Sequence, residues 1–196
     1  MANRHELVAA DILPAAEYAA HRKDWRSKIG AIKRNRRVEV GPYVTFYFES
    51  YDTMWLQVQE MVYIEKGGAD QVPGELEAYN PLIPKGDELC ATFMIEIDDP
   101  DRRHRVLGTL GGIEETVLIR VGDHTVRASA EADQDRTTAE GKASSVQFVH
   151  FHFTPAQIAE FSRHGAQVIL GIEHRNYGHM AVLPEAVRAE LAKDFG

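Results

Sequence analysis

The clearest opportunity for chemistry in this chain is a pair of imidazoles on one strand face. In VQFVHFHF, residues 146–153, alternation sends Val149, Phe151 and Phe153 to one side and Phe148, His150 and His152 to the other. The first set reads as core. Two imidazoles at this spacing sit roughly 7 Å apart at Cβ, near enough to chelate one divalent metal ion if a third ligand arrives from a neighbouring strand. Glu173, His174 and His179, around the following hairpin, are the candidates for that third position, with Glu60 as a carboxylate from a helix. A cupin-type set would need a glutamate just after the second histidine, and residues 154–157 offer none. The same pattern also reads as two half-exposed sheet histidines that bind nothing. Glu173 and His174 adjoin Asn176 and Tyr177, so the EHRNYGH loop could bring an acid, a base and a phenol into one cleft, or be a charged turn and no more.

A second candidate lies in YDTMWLQVQEMVYI, residues 51–64. At about 100° per residue, Met54, Val58, Met61 and Val62 form one stripe, and Trp55, Leu56, Tyr63 and Ile64 close most of the remaining circumference. This predicts an interior helix that nevertheless carries Gln57, Gln59 and Glu60. A buried amide or carboxylate is costly unless partnered, so these residues form either a structural lock or the wall of a ligand pocket. Tyr79 and Asn80, in ELEAYNPLIP, are a further polar pair that could join such a pocket; Asn80 also simply ends a helix before Pro81.

Both sites need a scaffold, and 196 residues suit one domain with an ordinary core. The composition, 44% hydrophobic and 27% charged, is that of a soluble globular protein. No apolar run approaches the roughly 18 residues that span a bilayer, and the N-terminal residues lack an export pattern, so the expected location is the cytoplasm. The single cysteine, Cys90, sits in the strand-like ELCATFMIEI and reads as a buried small hydrophobe rather than a nucleophile. The net charge of −8 hides an asymmetry: residues 22–37 carry eight basic side chains against Asp24, leaving a body of net charge −15. So acidic a body argues against nucleic acid. The basic segment is either a solvated helix face or a docking face for an acidic protein, with Arg34, Arg36 and Arg37 as its candidate contacts.

Along the chain, residues 1–37 read as a helical cap of two short helices and residues 38–196 as an α+β body. Strands are expected at YVTFYFE, LCATFMIEI, ETVLIRV, HTVRASA, VQFVHFHF, AQVILGIEH and HMAVL. Gly122-Asp123 marks a hairpin. Helices follow Thr154-Pro155 and Pro184. The polar stretch 132–144 has no bulky apolar residue and reads as a mobile loop. The result is an antiparallel or mixed sheet of six or seven strands with helices packed on it. Patterns for P-loop, dinucleotide-binding, α/β-hydrolase, zincin and thioredoxin-type sites are all missing.

Taken together, ADILPAAEY, KRNRRVEVGPYVTFYFES with YDTMWLQVQEM, ELEAYNPLIP, LCATFMIEI, SSVQFVHFHF and NYGHMAVLPEAVRAELAKD resemble domain-of-unknown-function family 3501 nearly end to end. Its marks are Q-x-Q-E-M, here residues 57–61, and A-Y-N-x-L-I-P, here residues 78–84. The resemblance implies a place in peroxide or electron-transfer metabolism, beside a rubrerythrin-like or iron-sulfur protein partner. It brings no catalytic residue, and the His150-x-His152 pair is not part of the family pattern.

Three functions follow as expectations. One is a non-catalytic accessory or ligand-binding protein that uses the helix of Gln57 and Glu60 and docks through its basic segment. Another is a metal-dependent enzyme built on His150 and His152. The last is a structural homo-oligomer with no small-molecule site.

Overall fold

The computed structural model describes residues 5–130 and 141–196. Six α-helices are described, α1 Ala15–Arg34, α2 Tyr51–Glu65, α3 Val72–Tyr79, α4 Pro100–Leu107, α5 Pro155–Ser162 and α6 Glu185–Leu191. The strands are β1 Arg37–Val40, β2 Val44–Phe48, β3 Glu88–Ile95, β4 Val117–Val121, β5 His124–Arg127, β6 Ser129–Ala130, β7 Val146–His152, β8 Val168–His174 and β9 Tyr177–Val182. The α+β expectation is met. The sheet differs from it: the described strands form two antiparallel sheets, ordered β1-β2-β3-β7-β6 and β5-β4-β8-β9, where six or seven strands in a single sheet are expected.

The two sheets face one another across a common core. Alternate residues of β2 and β3, among them Phe46, Phe48, Leu89 and Phe93, meet Val117, Ile119, Leu170 and Ile172 from the second sheet. Val149 and Phe151 of β7 join them, as alternation predicts, and Phe153 follows just past the strand. HTVRASA, expected as one strand, passes from sheet to sheet at Ala128: β5 pairs with β4 and β6 with β7. On the opposite side β1 lies beside β9.

That contact is pinned by Tyr177. Its hydroxyl donates to the Val40 carbonyl at 2.8 Å and accepts from the Tyr43 and Val44 amides at 2.9 and 3.1 Å. The β1–β2 turn passes so close that a Cβ on Gly41, at φ +70°, would lie 2.6 Å from the His179 ring. Only glycine fits there. Strand β1 itself falls in a segment where a helix merges into a turn by sequence, yet RVEV alternates out-in-out-in and buries Val38 and Val40.

The outward face of the five-stranded sheet meets a helical layer with its own apolar cluster: Leu7, Met54, Val58, Val62, Val72, Leu82 and Ile83, with Phe148 of β7 packed against it. The two short N-terminal helices expected from sequence are one helix of 20 residues, since nothing between Ala15 and Arg34 breaks it and Gly30 faces open space. Helix α2 starts at a Ser50 cap that accepts from the Thr53 amide. It is less enclosed than its composition suggests, with Ile64 59% exposed. Most of the polar stretch 132–144 lies outside the described residues.

Candidate metal centre

Strands β3 and β7 pair with Glu88 opposite His152 and Cys90 opposite His150. Leu89, Ala91 and Phe93 point into the core, so by parity Glu88 and Cys90 share the outward face with His150 and His152. Four possible ligands thus form a two-by-two array across one ladder. Glu88 is the hub: its Oε2 lies 3.0 Å from His150 Nδ1 and 3.5 Å from His152 Nδ1. Cys90 Sγ stands 3.2 Å from the same His150 nitrogen. One ligand atom from each of Glu88, Cys90 and His150 falls within 4.8 Å of the other two. The two imidazole rings stack at 6.2 Å, nearly parallel.

These distances suit a small cation. Zinc bond lengths place neighbouring ligand atoms of a tetrahedral site roughly 3.3–3.8 Å apart, so an ion requires outward shifts of a few tenths of an ångström. Glu88 and Cys90 are buried and His150 nearly so, while the His152 side chain is 64% exposed. Burial pushes the Glu88 carboxyl up, but the hydrogen bond and charge of His150, with His152 behind it, hold it below the usual carboxylate range. Burial drives the Cys90 thiol well up, and the Glu88 charge adds to this, so the sulfur carries a proton at neutral pH unless a cation displaces it.

The sequence supplies two of these four residues. Glu173, His174 and His179, the expected third ligands, belong to β8 and β9 of the other sheet. Glu173 pairs with Arg120 at 2.6 Å and Arg127 at 3.4 Å. His174 is buried and its Nδ1 accepts from the Asn176 amide, and the His179 ring meets Tyr177 edge-on. Glu88 and Cys90 escape the sequence reading because nothing in it fixes the β3–β7 register. The usable signal is parity: in ELCATFMI, Glu88 and Cys90 alternate with the core set just as His150 and His152 do. Cys90 is buried, as expected, but it faces His150 and not the apolar core.

The polar residues of α2 are knitted into the helical layer. Glu60 accepts from Tyr18 at 2.5 Å and from Arg22 at 2.9 and 2.7 Å. Gln57 donates to the Tyr79 hydroxyl at 3.3 Å. Gln59 is buried, and its Nε2 has no partner among the described residues. Asn80 clamps the N-terminal segment, accepting from the Leu7 amide at 2.8 Å and donating to the Leu7 carbonyl at 3.0 Å. The expected inner chamber around Gln57 and Glu60 is therefore filled by protein partners. The basic trio divides as well. Arg34 and Arg37 are exposed, whereas Arg36 is 2% exposed and bound to Asp194, to Glu190 and to the Phe48 and Glu49 carbonyls. It cannot meet a docking partner.

The family model described as a protein of unknown function (DUF3501) matches residues 6–195. The chain belongs to that family. A crystal structure of a novel protein of unknown function from Burkholderia pseudomallei K96243 is similar, at 34% identity and a TM-score of 0.89, covering 97% of this chain and 99% of that one. No curated protein matches. Membership of DUF3501 thus agrees with the resemblance read from the sequence motifs. Among the described residues of this DUF3501 chain, no helix is long and apolar enough to cross a membrane.

Proposed function

We propose that the protein binds one divalent transition-metal ion, zinc by ligand preference, through Glu88, Cys90, His150 and His152, and that its activity is exercised there. The observation that supports this reading is the two-by-two array on β3 and β7, in which a buried carboxylate, a thiol and an imidazole already converge. Mixed sulfur, nitrogen and oxygen donors favour zinc over magnesium or calcium, which take oxygen ligands. Glu88, Cys90 and His150 are the gathered ligands, and His152, exposed at the rim, is the ligand that can give way to a substrate or water, leaving three protein ligands and one open position. The bound ion would polarise an oxygen or lower the pKa of water there.

Tag-free protein, dialysed against zinc and then against buffer, should retain one ion per chain by elemental analysis. Cobalt substitution should give a near-ultraviolet thiolate-to-cobalt charge-transfer band that disappears in Cys90→Ser. Metal-free wild type, or retention of the ion by the double variant His150→Ala with His152→Ala, would sink the proposal.

A docking role for α1 is supported by the exposure of Lys23, Arg26, Lys28, Lys33 and Arg34 on that helix. An acidic partner, of the rubrerythrin-like or iron-sulfur kind that the resemblance implies, would meet this face without Arg36. Charge reversal at Arg26 and Arg34 should then weaken co-purification, and unchanged association discards the role.

A further inference from the structure

The outward face of the five-stranded sheet carries a second polar site, beyond the metal centre. Where α1 ends and α2 begins, a cavity of about 260 Å³ is lined by Lys33, Tyr47, Glu49, Thr53, Thr92 and Met94. Glu49 is 8% exposed. Its Oε2 accepts from the Thr53 hydroxyl at 2.7 Å and its Oε1 from the Thr92 hydroxyl at 2.8 Å. Both donors are neutral. Arg36 also borders the cavity, but it reaches only the backbone carbonyl of Glu49 and spends its charge on Asp194 and Glu190. Among the described residues no cationic side chain forms an ion pair with the Glu49 carboxylate.

A carboxylate this deeply buried needs a cation more than it needs hydroxyls. The structure leaves room for one beside it. Lys33, on the last turn of α1, lines the same cavity, is exposed, and forms no ion pair among the described residues. The cavity is thus bordered by a buried carboxylate and an exposed ammonium, neither of which forms an ion pair among the described residues. We infer that it binds a small zwitterion of the α-amino-acid class, its ammonium group on Glu49 and its carboxylate on Lys33.

A plain amine would engage Glu49 and leave Lys33 to solvent, whereas a plain carboxylate would engage Lys33 and leave Glu49 without a cation. The volume sits below the usual range for drug-sized ligands, which limits the side chain to a few heavy atoms against Met94 and Tyr47. The two threonine hydroxyls occupy one acceptor site on each Glu49 oxygen, and each oxygen keeps acceptor capacity for a further donor. The site does not depend on the metal, although Thr92 follows Cys90 by two residues on the same strand face.

Calorimetric titration of the full chain with glycine, alanine, serine and valine tests this, with methylamine, acetate, and the N-acetyl and amide derivatives of the best binder as controls. At least one amino acid should bind saturably and raise the melting temperature. Removing either its ammonium or its carboxylate should weaken it tenfold or more. Glu49→Gln should abolish binding. Lys33→Ala, at an exposed position that leaves folding intact, should cost at least tenfold and erase the preference for the amino acid over its amide. Absence of binding by all four amino acids overturns the inference. So does methylamine binding as tightly as the best of them, or undiminished affinity in Lys33→Ala. A lower melting temperature of ligand-free Lys33→Ala, with no probe bound by the wild type, would show instead that Lys33 folds over Glu49 as an internal partner, and this too overturns it.

Discussion

Glu88 Oε2 lies closer to Nδ1 of His150, its diagonal neighbour at 3.0 Å, than to Nδ1 of His152, its direct partner across the ladder at 3.5 Å. The carboxylate therefore bridges both imidazoles from a buried position, and it is held ionised below its usual range despite the burial that pushes the other way. A group whose native pKa is depressed contributes stability above its unfolded value, about 4.3 for glutamate, and that contribution is lost as the pH falls through the native value. Glu88→Gln keeps the shape and removes the charge. It should lower zinc affinity by at least roughly tenfold to a hundredfold, and should flatten the acid limb of metal-free stability when chemical denaturation is followed from neutral pH downward. An acid limb identical to wild type would mean that the diagonal contact does not operate in solution.

Metal binding should release a proton. Burial, reinforced by Glu88, keeps the Cys90 thiol protonated at neutral pH, so the sulfur can become a ligand only by losing that proton. Titrating zinc in two buffers of different ionisation enthalpy should report at least one proton released per ion, with affinity rising about tenfold or more per pH unit across the neutral range. In Cys90→Ser the release should fall by about one proton and the pH slope should flatten to match, since the thiol's proton is then no longer among those displaced. A slope of zero in the wild type would remove sulfur from the coordination shell.

How far the sequence led depends on what kind of information each feature needed. The core face of β7 was legible because alternation is local: Val149, Phe151 and Phe153 are buried where the pattern puts them. Two members of the candidate cluster, His150 and His152, share the outward face for the same reason. The other two were not legible, because pairing Glu88 with His152 across 64 positions is a matter of register, and register is set by how whole strands bury their apolar sets. Helix α2 went astray differently. Its composition announces burial on all sides, but α1 meets it with Tyr18 and Arg22, polar groups that match Glu60 and turn a supposed chamber wall into a closed network. Arg36 looked like its neighbours in a basic run, and only the return of the C-terminal segment, at Asp194, distinguishes it.

That α1–α2 network carries its own prediction. Tyr18 is fully buried between Trp55 and Tyr63 and donates to Glu60, which Arg22 grips with two nitrogens. The Arg22 hydrogen bond, opposed by burial and aided by Tyr18, holds the Glu60 carboxyl below its usual range, while burial and Glu60 together push the Tyr18 phenol up. Tyr18→Phe should cost about 1.5–3 kcal/mol, the usual worth of a hydrogen bond to a charged group. Glu60's share of stability is present above the ordinary glutamate pKa and lost below it, so Tyr18→Phe and Glu60→Gln should both narrow the gap between neutral and acid stability. A loss below about 0.5 kcal/mol in Tyr18→Phe, the range of ordinary surface changes, would make the short contact irrelevant to stability.

The last test separates structure from docking in the basic segment. Arg36 ties β1 to the C-terminal segment through Asp194, and it also donates to the Phe48 and Glu49 carbonyls. Burial pushes the Asp194 carboxyl up even against the opposing pull of Arg36, so attraction within the pair does not fully repay the cost of enclosing the acid. The two partners should therefore be unequal. Arg36→Leu strands Asp194 as an unpaired buried acid, leaves Glu190 to Lys193 alone and deprives two buried carbonyls of their donor, and should cost about 3–5 kcal/mol. Asp194→Asn leaves the guanidinium its two carbonyls and Glu190, and should cost less than half as much. Arg34→Glu and Arg37→Glu, at exposed positions, should fall within about 0.5 kcal/mol of wild type. Urea denaturation of the four variants decides the matter: equal losses at Arg36 and Asp194, or a loss at Arg36 no larger than at Arg34, would contradict the assignment of Arg36 as the anchor of the C-terminal segment.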